Sequence, residues 1–132
     1  MAKYNIISAN ELGYELDDIK DTIDNLVDSL ENDNLTNELK ADILDEIDIL
    51  SNDPRYRALL EIENDLITMV RNGDNLILID DFTEYLKENY EDMYSTTIPN
   101  GLTMYINWDE LANDLSHNYT VIEFDGDEYF VI

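Results

Sequence analysis

The chain has 132 residues, of which 32 are Asp or Glu and 7 are Lys or Arg, so its formal net charge at pH 7 is −25. Such a surface repels nucleic acid, anionic membranes and acidic substrates, and it attracts strongly basic partners. The chain contains no cysteine, which excludes disulfides, thiolate nucleophiles and zinc–thiolate sites and fits a reducing cytoplasm.

The first predicted element is an amphipathic helix over residues 10–31. Apolar residues recur at steps of three and four, which is the spacing of one helix face, at Leu12, Leu16, Ile19, Ile23, Leu26 and Leu30. The other positions are mostly acidic and include only one base, Lys20. The acidic positions are Glu11, Glu15, Asp17, Asp18, Asp21, Asp24, Asp28 and Glu31.

Two further helices are predicted before residue 74. The second covers residues 36–50, with acidic side chains at Glu38, Asp42, Asp45, Glu46 and Asp48 outside or beside an apolar stripe. The third has clear end signals, because Asp53 suits its N-cap, Pro54 its first position and Gly73 its C-terminal cap.

The second half alternates short elements and connections. Residues 76–79 fit a strand or a loop, and a fourth helix begins at Asp80 or Asp81, with outward acids at Asp81, Glu84, Glu88, Glu91 and Asp92. Residues 94–101 are predicted to be a connection. A short helix over residues 108–115 carries Asp109, Glu110 and Asp114. The pair Asp125-Gly126 then predicts a tight β-hairpin that joins residues 119–124 to residues 128–132.

These elements predict an α+β fold, in which about four acidic amphipathic helices and a short fifth precede a small antiparallel β-hairpin. Residues 1–74 form an acidic helical region and residues 75–132 an α+β region, as two lobes or one compact domain. A hydrophobic content of 44% with nine Tyr predicts a packed core rather than an acidic disordered chain. No apolar run is long enough for a signal peptide or membrane span, so we expect a soluble cytoplasmic protein.

Catalysis and bound cofactors are not expected. The chain has one histidine, His117, and no glycine-rich phosphate loop or serine elbow, so the usual nucleophile and base pairs are missing. An EF-hand also fails, because placing Gly126 at its sixth position puts Val121 where the first oxygen ligand belongs. We therefore expect no enzyme, no cofactor and no specific metal site.

The acidic surplus has a simple alternative explanation, which is that it only solvates the protein, as in salt-adapted organisms. Fifteen Asn, fifteen Ile and nine Tyr are more typical of an AT-rich genome. Like charges at helical spacing destabilise a helix, and such neighbours occur at Glu11, Glu15, Asp18 and Asp21. A globule of this length is roughly 36 Å across, and duplex DNA carries about 21 charges over that length. Regular carboxylates on helices can therefore replace phosphates.

The run from Ile98 to Ile132 resembles the C-terminal end of the ArdA-type antirestriction proteins. The matching positions are Pro99, Leu102, Tyr105, Ile106, Asn107, Trp108, Ala112, Asn113, Asp114 and Leu115, and the upstream positions are Asp80, Asp81, Tyr85 and Tyr90. The family has an acid in place of Asn107 and an arginine in place of Asn113. Its N-terminal β-containing domain has no counterpart among the helices that begin this chain.

The resemblance implies a DNA mimic from a phage or mobile element that occupies the DNA groove of a type I restriction-modification enzyme in the host cytoplasm. The new helical front leaves two alternatives, an anti-CRISPR protein that blocks a Cas effector, or an acidic adaptor for a basic, histone-like protein. In each case the partner surface is the set of carboxylates named above, without direct nucleic-acid binding. We expect Tyr105, Trp108, Leu111 and Leu115 to be core residues. The hairpin either adds a layer over the core or forms a homodimer edge, and we favour the dimer.

Overall fold

The computed structural model describes residues 4–132, which divide into two compact units. Residues 9–73 form a helical unit, and residues 4–8 together with residues 74–132 form a sheet unit. The helical unit is thus inserted into the chain of the sheet unit.

The helical unit contains four helices, α1 (Ala9–Ser29), α2 (Asn37–Ser51), α3 (Pro54–Glu61) and α4 (Glu63–Asn72). Its buried apolar residues come from α1, α3, α4 and the residue between the last two: Ala9, Leu12, Leu16, Ala58, Leu59, Ile62, Leu66 and Met69. Gly13 allows α4 to lie close to α1, because a Cβ atom at this position would come within 3.2 Å of Val70 Cγ2. Helix α2 has no fully buried residue.

The end signals of the helical unit are confirmed, but its third predicted helix is wrong as a single element. Asp53 caps α3 through the Tyr56 N–H, and Thr36, which was not predicted as a cap, caps α2 through the Leu39 N–H. Gly73 ends α4 in the left-handed conformation, with φ 71°. The helix breaks at Ile62, where no Gly or Pro marks the sequence. Because Ile62 is buried, we attribute the break to tertiary packing, which overrides helix propensity.

The sheet unit contains a four-stranded antiparallel sheet in the order β1-β2-β4-β3. Its strands are β1 (Ile6–Ser8), β2 (Asn75–Leu78), β3 (Val121–Phe124) and β4 (Asp127–Val131). The apolar run that fitted a strand or a loop is therefore strand β2. Strand β1 was not predicted, and its pairing with β2 makes the sheet larger than the expected hairpin.

The hairpin itself is confirmed, with the predicted turn residues. Asp125 has φ 53° and Gly126 has φ 86°, and positive φ at both central residues is the geometry that favours an Asp-Gly pair in a two-residue turn. Strand β3 lies at one edge of the sheet.

Two helices pack on the sheet unit's core, α5 (Phe82–Met93) and α6 (Trp108–Ser116). A 3-10 turn over Ile79–Asp81 precedes α5. The core cluster consists of Ile77, Phe82, Leu86, Ala112 and Phe130. Its aromatic centre is the edge-to-face pair of Phe82 and Phe130, whose ring centroids are 5.0 Å apart.

The fold class is confirmed as α+β, with a mainly helical chain that ends in an antiparallel strand pair. Within residues 4–132 there are six α-helices rather than about five, because α3 and α4 are separate. None of the helices in this range is long and apolar enough to cross a membrane.

Candidate partner-binding surface

The predicted carboxylates lie almost entirely on the protein surface. All of them are exposed except Glu15 and Asp81, which are half-buried. The exposed ones in the helical unit are Glu11, Asp17, Asp18, Asp21, Asp24, Asp28, Glu31, Glu38, Asp42, Asp45, Glu46 and Asp48. Those in the sheet unit are Glu84, Glu88, Glu91, Asp92, Asp109, Glu110 and Asp114.

One face of α1 carries a row of four exposed aspartates, Asp17, Asp21, Asp24 and Asp28, which we call the α1 row. Their steps of 4, 3 and 4 place successive carboxylates on neighbouring turns, about 5–6 Å apart at Cβ. In the part of the chain that the structure describes, no hydrogen bond or ion pair engages the carboxylates of Asp21, Asp24 and Asp28. The helix therefore holds these negative charges in a fixed line, and Lys20, which lies beside Asp17, forms its ion pair with Glu63 on α4.

Helix α2 presents a second row on the side opposite its half-buried apolar stripe. Glu38, Asp42 and Asp45 follow steps of 4 and 3, and all three are exposed. Asp48 lies beside this row and accepts a hydrogen bond of 3.0 Å from Asn52 Nδ2. The two rows make the helical unit strongly negative along two of its four helices.

Other carboxylates of the helical unit have structural partners. Arg55 on α3 binds Glu15 on α1 through two hydrogen bonds, of 2.8 and 3.1 Å. Lys20 on α1 forms an ion pair with Glu63 on α4, and the hydrogen bond from this pair raises the pKa of Lys20 above its ordinary value. Glu15, which belonged to the predicted partner-binding set, thus connects two helices of its own unit.

In the sheet unit the acids are on the outer faces of α5 and α6. Glu84, Glu88 and Glu91 follow the same 4 and 3 spacing along α5, with Lys87 among them. Asp81, just before α5, accepts a hydrogen bond of 3.2 Å from the backbone N–H of Asn5, so this carboxylate helps hold the N-terminal segment.

The residues in and around the segment that carries the family resemblance differ in burial and in role. Asn107 caps α6, because its side chain accepts the N–H of Glu110 at 3.2 Å. Trp108, Leu111 and Leu115 pack against the core cluster, which confirms them as core residues. The expectation for Tyr105 is wrong, since its side chain is 79% exposed. Its segment follows no helical or strand periodicity, so its apolar residues have no common buried face.

Two acids that were absent from the predicted set face each other across the hairpin. Glu123 on β3 and Glu128 on β4 are paired directly in the register, and both are exposed. Like charges at such positions destabilise a strand pair. Counting outward from the predicted turn at Asp125 and Gly126 could have identified this pair, because residues equally distant from a two-residue turn lie opposite each other.

Half-buried tyrosines line the interior of the sheet unit. Burial, with smaller contributions from a hydrogen bond and the proximity of Tyr94, raises the pKa of Tyr119 to about 12. Burial also raises the pKa of Tyr85. Both tyrosines keep their protons at neutral pH and act as packing groups beside Phe82.

The chemistry of this surface is electrostatic. Among residues 4–132, no group of three or more His, Asp or Glu side chains is arranged to hold a metal ion. The exposed rows attract cationic groups collectively, through the sum of many charges rather than one built pocket.

Comparison with protein-family models, curated proteins and solved structures gives no significant match. The likeness to the ArdA-type proteins therefore remains a resemblance of the residues named above.

Proposed function

We propose that the chain is a non-catalytic DNA mimic that inhibits a host defence nuclease by occupying its DNA-binding groove. The first target class is a type I restriction-modification enzyme, and the alternative target is a Cas effector. The observation that supports the proposal best is the alignment of exposed carboxylates in rows on helices, above all the α1 row.

The charge spacing of the helical unit is comparable to that of a nucleic acid. At about 1.5 Å of rise per residue, the α1 row is about 16 Å long. It supplies roughly one charge per 4 Å, against about 3.4 Å along one strand of duplex DNA, and Glu38, Asp42 and Asp45 of α2 add further exposed charge to the same unit. A groove lined with Lys and Arg would therefore meet a similar density of negative charge.

The rows are unfavourable for the stability of the chain itself. Same-sign neighbours at helical spacing each destabilise a helix by about 0.2–0.5 kcal/mol. Among the basic residues of the helical unit, Lys20 and Arg55 form ion pairs with Glu63 and Glu15, and Lys40 lies on α2 among several acids, so these bases offset only a small part of the charge of the rows. A selected role in binding explains why such an arrangement is kept.

Displacement of duplex DNA is the decisive experiment. A fluorescent duplex with the recognition site is bound to a purified type I restriction-modification enzyme, and the full chain is titrated while anisotropy is measured. A parallel experiment uses a Cas effector with its guide RNA and target duplex. We expect release of the duplex from at least one enzyme class, with an apparent affinity that weakens as more duplex is added.

Salt and competition provide the contradicting outcomes. Electrostatic binding should weaken steeply between 50 and 200 mM salt, and a flat affinity would contradict an interface built on the carboxylate rows. Failure to release duplex from either class, together with binding to a histone-like protein that duplex cannot displace, would replace mimicry by the role of an acidic adaptor.

A further inference from the structure

The sheet unit also has an exposed feature that is apolar. Between α5 and α6 lie Leu102, Met104 and Tyr105, which we call the loop patch, with side chains that are 50%, 77% and 79% exposed. A 3-10 turn over Thr103–Tyr105 holds the last two in one short structure. Isolated exposed apolar residues are ordinary, but adjacent ones are typical of interaction sites, where Met and Tyr are enriched.

The loop patch borders a groove of about 580 Å³. Met104, Ile106 and Trp108 form its apolar side, and Glu84, Lys87 and Glu88 of α5 form its charged side. The indole of Trp108 packs edge-to-face on Tyr90, with ring centroids 5.9 Å apart. Because Trp108 is tied to the core in this way, the apolar side of the groove is preformed.

We infer that the loop patch and this groove form an apolar anchor that contacts a protein partner. The identity of that partner, the nuclease named above, rests on the proposed function. The partner would offer an apolar site surrounded by Lys and Arg. A DNA duplex presents no apolar patch comparable to the loop patch. The anchor therefore makes a contact with the target that DNA does not make. It should hold the complex together when salt has weakened the carboxylate rows.

Charge complementarity selects this occupant. The charged residues that line the groove are Glu84, Lys87 and Glu88 on α5, so acids outnumber bases there. A second copy would bring the same acidic surroundings and its own net charge of −25, so like charges oppose self-association here. An apolar partner site with basic surroundings instead gains attraction at its rim as the loop patch is buried.

Two synthetic peptides test the anchor even before the target enzyme is identified. The first is an 18-residue amphipathic helix with Leu and Phe on one face and Lys on the other, and the second has the same Lys residues with Ser in place of Leu and Phe. Trp108 is the only tryptophan of the chain, so its emission reports on the groove. At 0.3 M NaCl we expect the full chain to bind the first peptide at least about tenfold tighter, with a shift in emission.

The variant Met104→Ser/Tyr105→Ser should lose this tenfold preference and keep its low-salt affinity for the second peptide. Both positions are exposed, and circular dichroism should show an unchanged fold. The matched control is Tyr14→Ser/Ile49→Ser, which removes two apolar side chains that are 68% and 70% exposed in the helical unit. Retention of the preference by the loop-patch variant, or equal loss in the control, would overturn the inference.

The remaining outcomes separate the anchor from mimicry. If sedimentation shows a dimer of the wild type that the loop-patch variant does not form, the occupant is a second copy and the inference is wrong. Equal release of duplex by wild type and variant at 0.2 M salt would support mimicry and overturn the anchor. Peptide preference without any release of duplex would refute mimicry and retain the anchor.

Discussion

Arg55 Nε donates a hydrogen bond of 2.8 Å to Glu15 Oε1, and Arg55 Nη2 donates one of 3.1 Å to Glu15 Oε2. This two-point contact connects α3 to α1 across 40 residues of sequence. Both side chains are more than one third exposed, at 38% and 37%, so solvent screens much of their attraction. The geometry of the fork, more than the charge alone, makes this pair useful in the helical unit.

Substitution of Arg55 should therefore separate geometry from charge. We expect Arg55→Lys to lower the free energy of unfolding by about 0.5–1 kcal/mol, because an ammonium group cannot reproduce the two parallel hydrogen bonds. Urea denaturation measures the change. The control is Arg57→Lys, at an exposed position whose hydrogen bond to Asn52 is 3.4 Å long, and it should stay within about 0.5 kcal/mol of wild type. Equal stability of Arg55→Lys and wild type would contradict a role for the fork.

The hairpin offers a prediction with the opposite sign. Because Glu123 and Glu128 are directly paired and exposed, Glu123→Lys should stabilise the chain by about 0.2–1 kcal/mol. Glu123→Gln, which removes the repulsion without adding attraction, should lie between wild type and Glu123→Lys. Thermal unfolding at low salt gives the order of the three proteins, and the differences should shrink in 0.5 M NaCl. A Lys variant less stable than the Gln variant would contradict the cross-strand interaction.

The elements that could be predicted are those with local signals. Asp53, Pro54 and Gly73 fixed two helix ends, and Asp125-Gly126 fixed the hairpin, because caps and tight turns depend on a few neighbouring residues. The break at Ile62 and the pairing of β1 with β2 depend on contacts that are distant in sequence, and neither has a local signature.

The candidate surface was predictable to a similar extent. Helical periodicity predicted that the acids of α1 and α2 lie on outward positions, since these follow from the inward stripe, but the array named from the sequence, Glu11, Glu15, Asp18 and Asp21, differs from the α1 row. Periodicity could not reveal that Arg55 engages Glu15, which requires α3 to lie against α1. It also could not place Tyr105, because a single short turn such as Thr103–Tyr105 has no repeating pattern that indicates which side chains are buried.

Alkaline pH should destabilise the sheet unit through its tyrosines. Burial raises the pKa of Tyr119 to about 12, whereas an unfolded tyrosine has a pKa near 10. The folded state therefore binds this proton more tightly, and its contribution to stability is complete below pH 10 and is lost as the pH rises from 10 towards 12.

Urea unfolding at pH 9, 10 and 11 tests this pH dependence. We expect the free energy of unfolding to fall over this range, and to fall less in Tyr119→Phe, which has no phenolic proton to lose. Tyr14→Phe, at a position that is 68% exposed, is the control and should follow the wild-type profile. Parallel pH profiles for Tyr119→Phe and wild type would exclude Tyr119 as a source of the alkaline loss.

The α1 row should show opposite effects on stability and on binding. We expect the triple variant Asp21→Asn, Asp24→Asn and Asp28→Asn to be more stable than wild type by about 0.6–1.5 kcal/mol at low salt, because the three like-charge contacts along the row are removed. In the duplex-release experiment, the apparent affinity of the same variant for the target enzyme should be about tenfold lower than that of wild type. The loss is partial because the attraction is spread over many charges. Asp24→Asn alone should be nearly silent.

The matched control, Glu123→Gln, Asp127→Asn and Glu128→Gln, removes the same charge from the hairpin and should bind more tightly than the α1 variant. Equal weakening in both triple variants would mean that net charge, rather than the row on α1, determines binding.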